Sequence, residues 1–146
     1  MIKGIIFDWI GTLHERDKGL YPDAMRVVKE LKKRYTLGLV TLSGKDKEQR
    51  TFEISTSGVM KHLECILIVK EKTPEEYLEC MAEMRTTPET TAIVDDRTIR
   101  GIKVGNKLGC QTYWIKRGDY AHETPTEETG QPTEIITCVG DLLEFF

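Results

Sequence analysis

The sequence is short of several things, and each gap excludes a class of protein. No apolar stretch reaches the ~20 residues that a membrane-crossing helix requires, so no integral membrane protein is expected. The start lacks a basic segment, an apolar run of signal length and a small-residue cleavage site, which points to a cytoplasmic protein. The four cysteines, Cys65, Cys80, Cys110 and Cys138, form no Cys-x-x-Cys pair, and no histidine stands at ligand spacing from them. That favours free thiols in a reducing compartment over a zinc site or a disulfide. A basic surplus is missing too, since 21 Lys and Arg face 24 Asp and Glu for a net charge of −3, so no nucleic-acid partner is expected. The local group Lys29, Lys32, Lys33 and Arg34 sits where a helix should end, and there it complements the helix dipole. No Gly-x-Gly-x-x-Gly follows the first strand-like run, which argues against a dinucleotide site. Internal repeats and low-complexity segments are likewise missing.

What remains is an ordinary globular composition, 39% hydrophobic and 31% charged, in 146 residues, the length of one domain spanning residues 1–146. Short β-rich runs alternate with helical patterns. Strands are predicted at Ile2–Phe7, Leu37–Val40, Cys65–Val69, Thr91–Val94, Gln111–Ile115 and Glu134–Cys138. Between them, Pro22 marks a helix start, followed by Met25, Val27, Val28 and Leu31 at helical spacing. A second helix is predicted from Lys45 to Ser57 with a thin apolar stripe. A third begins at Thr73-Pro74-Glu75-Glu76, and a fourth runs from Thr98 to Leu108 and stops at Gly109. Asp141–Phe146 reads as a terminal helix, and Lys116–Pro132 as the longest loop. Alternation of this kind predicts an α/β fold: a single doubly wound, mostly parallel sheet with helices on both faces.

Such sheets carry their reactive groups outside the carboxyl ends of the strands. Asp8, Thr41 and the Asp95-Asp96 pair each stand at such an end. Carboxylates gathered in one crevice repel, and they stay ionised together only around a cation. An all-oxygen site suits Mg²⁺. The expected metal ligands are Asp8, Asp96 and the Ile10 backbone carbonyl, with Asp95 beside them. A phosphoryl group brought to that metal would meet the Thr41 hydroxyl, the Lys72 ammonium, and backbone N–H groups following Asp8 and Thr41, notably at Thr12 and Leu42.

These residues also form a recognisable series. Phe7-Asp8-Trp9-Ile10-Gly11-Thr12-Leu13, Val40-Thr41, Lys72 in Lys-Thr-Pro-Glu-Glu-Tyr, and Ile93-Val94-Asp95-Asp96 resemble, in order, the four motifs of the haloacid dehalogenase superfamily. Lys70 lies close enough to compete with Lys72 for the third motif. The resemblance implies a Rossmann-like fold and a magnesium-dependent hydrolase acting on a phosphorylated substrate. It makes Asp8 the nucleophile that forms an aspartyl-phosphate, has Thr41 and Lys72 hold the phosphoryl group, and makes Asp96 a metal ligand. The intervals between motifs hold little beyond one helix and a hairpin-like segment from Leu13 to Leu20, so no cap domain is expected. An open site of that kind favours a bulky substrate or a homo-oligomer that covers it. A phospho-receiver domain has similar residues in a different order, with the acid pair after the first strand and the lysine after the last.

Two positions depart from the family pattern. Where family phosphatases carry a second aspartate that protonates the leaving group, this chain has Ile10. General acid–base help of that kind is typically worth roughly 10²–10⁴-fold in rate. Phosphonate-cleaving members carry Ala there and share the Phe-Asp-Trp-x-Gly-Thr pattern, but they use a cap-domain lysine. Dehalogenases carry Tyr and need no metal, which the acid pair argues against. His14, just after the motif, is the residue best placed in sequence to substitute as a catalytic acid or base. Gly101 stands where many relatives have a further acid. The alternative to an enzyme is a degenerate module that binds Mg²⁺ and phosphate for regulation or protein interaction.

Overall fold

A computed structural model describes all of residues 1–146. The backbone forms β1 (Gly4–Phe7), a two-residue-strand hairpin β2 (His14–Glu15) and β3 (Gly19–Leu20), α1 (Ala24–Lys32) and β4 (Thr36–Leu42). It continues through α2 (Lys47–Ser57), β5 (Cys65–Val69), α3 (Pro74–Met84) and β6 (Thr91–Asp95). The last elements are α4 (Lys103–Leu108), β7 (Gln111–Ile115) and β8 (Glu134–Ile136). Six strands make one parallel sheet in the order β5-β4-β1-β6-β7-β8. The chain winds outward from β1 to β5, returns to the far side of β1 at β6, and winds outward again. The switch point therefore lies at the carboxyl end of β1, between β4 and β6, where a crevice must open.

The sheet is covered on both faces, as the alternating pattern predicts. Strand residues alternate sides, so Ile5 and Phe7 join one core cluster while Ile6 joins the other. The larger cluster packs α1 through Ala24, Val27, Val28 and Leu31, an i, i+3, i+4, i+7 stripe, together with Ile54 of α2. The smaller one packs Tyr77, Cys80, Met81 and Met84 of α3 and Val104 of α4. Helix α2 buries Ile54 alone, so packing holds it weakly. Its start is set instead by Asp46, whose carboxylate accepts from the N–H groups of Glu48 and Gln49. Helix α3 opens with a Thr73–Glu76 capping box and Pro74 in the first turn.

Three expectations change. The helix predicted from Thr98 begins as a wide π-helical turn, Thr98–Ile102, and becomes α-helical only at Lys103. The cause is Asp95, which accepts from the backbone N–H groups of both Arg97 and Gly101 and so draws the first turn toward the acid pair. The terminal helix is instead a 3-10 segment, Val139–Glu144. Val139 and Leu142 are buried there, and Phe145 and Phe146 lie against Tyr113. The loop from Lys116 contains a 3-10 turn at Gly118–Tyr120 and carries Glu123 back to Arg97 and Thr98. No helix is long and apolar enough to cross a membrane.

Candidate active site

Register brings the motif residues to one edge. Phe7 pairs with Leu39 of β4 and Val94 of β6, so Asp8 emerges level with Val40 and Asp95. The Asp8 N–H donates to the Val94 carbonyl, which ties the first motif to the fourth. Beyond Asp8 the chain turns back sharply: the N–H groups of Thr12, Leu13 and His14 all donate to the Trp9 carbonyl. Gly11 allows this turn. Its φ is +87°, and a Cβ there would collide with the Asp96 carboxylate.

Asp8, Asp95 and Asp96 are buried, and one carboxylate oxygen of each lies within 4.8 Å of the others. Lys72, its side chain 2% exposed, donates to Asp8 Oδ1 at 2.7 Å and to Asp95 Oδ2 at 2.8 Å. Lys70, by contrast, is exposed. One ammonium therefore balances three carboxylates. Burial raises Asp8 above the usual carboxylate range, Asp95 adds to this, and Lys72 opposes it. Burial would lower Lys72, but Asp8 and Asp95 outweigh that and hold it well above the usual lysine value. Asp96 has no cation of its own, and burial with the neighbouring Asp8 and Asp95 pushes it up to about 10. Such a cluster is short of positive charge, and a hard cation with oxygen ligands is the group it would accept.

The three acids are not equivalent. Asp95 is fully buried and already accepts from Lys72, the Arg97 N–H and the Gly101 N–H. It fixes Lys72 and the turn that follows. Asp8 and Asp96 instead line a cavity of about 140 Å³, together with Ile10, Thr41, Leu42 and Lys72. Asp96 is held by its backbone carbonyl, which accepts from Trp114 Nε1 at 2.9 Å. Gly101 leaves no room for a further acid, because a side chain there would collide with the Asp95 carboxylate. Thr12 is buried behind the cavity, its hydroxyl 3.5 Å from Asp8 Oδ2.

His14 is not brought to this cavity. Its ring stacks on Trp9 with centroids 5.0 Å apart, it is 8% exposed, and its Nδ1 has no partner. The residues that line the cavity do not include it, so this arrangement lends no support to the expectation that it serves as the acid. Burial lowers its pKa, with nearby Glu53 opposing. The sign follows: the unfolded chain takes up this proton near pH 6.5 while the folded chain resists it, so stability is lost as pH falls through that value. His14→Phe keeps the stack and removes the proton. On acidification from about pH 8 to about pH 5.5, its thermal midpoint is expected to fall less than that of wild type. An identical pH dependence in the two proteins would contradict this.

Arginines are what sequence reading missed. Arg50 lines the cavity and donates to Thr41 Oγ1 at 3.0 Å and to the Leu42 carbonyl at 2.7 Å. Arg97 lines it from just before the π-helical turn, Arg100 from within it, and Arg16 from the hairpin. A signal was available, since Arg50, Arg97 and Arg100 stand at the beginnings of helices, where the dipole disfavours cations. Arg117 was missed as well. It donates to the Thr12 carbonyl at 3.1 Å and lies 3.5 Å over the Tyr21 ring, bracing the motif-one turn.

A doubly wound sheet with buried acids and a lysine at its switch point places a ligand-sized crevice where open α/β sheets bind their ligands. Comparison with known proteins is more specific: the chain belongs to the haloacid dehalogenase-like hydrolase family, whose model matches residues 1–115. Among solved structures, YfnB of Bacillus subtilis, determined bound to magnesium, is 19% identical with a TM-score of 0.72, over 86% of this chain and 55% of its own. A HAD phosphatase from Thermococcus onnurineus is 16% identical with a TM-score of 0.72, over 86% and 57%. A 2-haloacid dehalogenase from Pseudomonas syringae pv. Tomato DC3000 is 13% identical with a TM-score of 0.79, over 99% and 97%. The chain thus spans little more than half the length of the first two, and these likenesses establish the fold. No curated protein sequence matches the chain.

Proposed function

We propose that the chain is a magnesium-dependent hydrolase of phosphorylated substrates that works through an aspartyl-phosphate at Asp8. The observation that carries this is the grouping of Asp8, Asp95 and Asp96, the first two held by Lys72, beside a cavity walled by Thr41. Mg²⁺ bound by Asp8 and Asp96 would supply the positive charge that lets a phosphoryl dianion approach a carboxylate. Asp8 then attacks phosphorus, an Asp8–phosphorus bond forms, and the leaving-group oxygen departs with its electron pair. Lys72 draws charge from Asp8 and the incoming oxygens, while Arg50 and Thr41 bind on the β4 side. Water afterwards opens the acyl phosphate, restoring Asp8 and releasing phosphate.

Ile10 lines the cavity and carries no proton. Alkyl esters, whose leaving groups need one, are therefore turned over slowly, and acyl phosphates, whose leaving groups do not, are the better substrates. Ile10→Asp is expected to raise alkyl-ester turnover roughly 10²–10⁴-fold while changing acyl-phosphate turnover much less. Screening phosphate esters and acyl phosphates with Mg²⁺ tests the reading, and no turnover of any acyl phosphate would contradict it. The same Ile10 supports a second reading, a module that binds Mg²⁺ and phosphate without chemistry. Metal-dependent phosphate binding without turnover would favour that one.

A further inference from the structure

The cations around the cavity divide into those already engaged and those left over. Lys72 is bound to Asp8 and Asp95. Arg50 is bound to Thr41, the Leu42 carbonyl and Glu53. Arg97 pairs with Glu123 and lies 3.6 Å over the Tyr120 ring. Arg100 faces the same cavity, yet its guanidinium has no hydrogen bond or ion pair with any group of the protein. The neighbour nearest in charge to Arg16 is Asp119, 3.9 Å away with both side chains more than half exposed, a pairing worth little.

Arg100 is not a loose surface residue. The backbone around it is clamped where Asp95 accepts from the Arg97 and Gly101 N–H groups, so the acid centre itself aims this segment. The segment is π-helical, a rare form that occurs frequently at functional sites. An arginine at the start of a helix also opposes the dipole, a cost that an anion would offset. Room exists for more than a phosphoryl group. Ile10 and Arg16 border the central cavity and two adjoining clefts of about 260 and 480 Å³.

We propose that Arg100 and Arg16 form a second anion subsite, so that the substrate carries a further acid group, carboxylate or phosphate, on its leaving-group side. This rests on the reading of Asp8 as phosphoryl acceptor. The guanidinium fork of Arg100 matches the paired oxygens of either group. Arg16, beside Ile10, adds charge where the missing aspartate would have helped the leaving group go.

Calorimetry with Mg²⁺ present tests the subsite without chemistry, using propylphosphonate, 3-phosphonopropionate and propane-1,3-bisphosphonate. At least one of the doubly acidic ligands is expected to bind about tenfold or more tightly than propylphosphonate, as a charge-assisted hydrogen bond allows. The tighter of the two identifies the second group. That ratio is expected to collapse toward one in Arg100→Gln, to shrink in Arg16→Gln and to survive in part in Arg100→Lys. A ratio near one in wild type, no binding of either doubly acidic ligand, or a ratio unchanged in both glutamine variants overturns the proposal. Butyryl phosphate and succinyl phosphate, matched in chain length, supply the kinetic arm. If neither is turned over while the binding ratio stands, the Asp8 reading fails and the subsite holds. If both are turned over equally well and the ratio is one, the subsite fails and the Asp8 reading holds.

Discussion

Asp8→Asn is expected to abolish acyl-phosphate turnover, with a loss on the order of 10⁴-fold or more, as removal of a nucleophile generally produces. The amide is nearly the same size, so packing at the end of β1 is kept, but its nitrogen and neutral oxygen cannot form the aspartyl-phosphate. Stability should move the other way. Burial and the neighbouring Asp95 raise the Asp8 pKa in the folded chain, so its charge is a cost to the fold without metal. Neutralising it relieves that cost, and Lys72 keeps Asp95 as partner. The thermal midpoint of Asp8→Asn in metal-free buffer should therefore match or exceed that of wild type. Residual turnover near the wild-type level would remove Asp8 from the chemistry. A large drop in thermal midpoint would show that the carboxylate is structural.

Lys72→Met is expected to cost the fold heavily. It leaves Asp8 and Asp95 buried with no cation, and removing one partner of a buried pair costs about 3–5 kcal/mol. Denaturant unfolding in metal-free buffer measures this. Turnover should be lost too, since the same ammonium faces the cavity. Adding Mg²⁺ is expected to restore part of the stability and none of the turnover, because a divalent ion replaces charge but not the hydrogen bonds. Lys72→Arg should not rescue, since the planar guanidinium cannot take the place of a compact ammonium between two carboxylates about 2.7–2.8 Å from it. A Lys72→Met protein as stable as wild type would mean that the ion-pair description is wrong.

Much of this architecture was legible in residue order. Helix α1 announces itself by Ala24, Val27, Val28 and Leu31, and α3 by Thr73, Pro74 and Glu76, because capping and amphipathic spacing are local. The terminal segment was misread because Asp141–Phe146 has helical composition but too few residues to sustain a helix, and its aromatics are claimed by Tyr113 and Tyr35. The π-helical turn was invisible for another reason. It depends on Asp95 accepting from two backbone N–H groups, a geometry that no propensity encodes.

The candidate site divides along the same line. Strand-end position alone marked Asp8, Thr41, Asp95 and Asp96, because a parallel sheet with one switch point sends such residues to one edge whatever surrounds them. Residue order could not say that Asp95 would be consumed by Lys72 and the following turn while Asp96 stays open to the cavity. Nor could it say that His14 would fold away onto Trp9, or that four arginines from three separate segments would ring the mouth. Periodicity and turn chemistry act over a few residues, and they are written in the chain. Charge balance in a buried crevice is summed over everything within a few ångströms, and that sum exists only once the chain has folded.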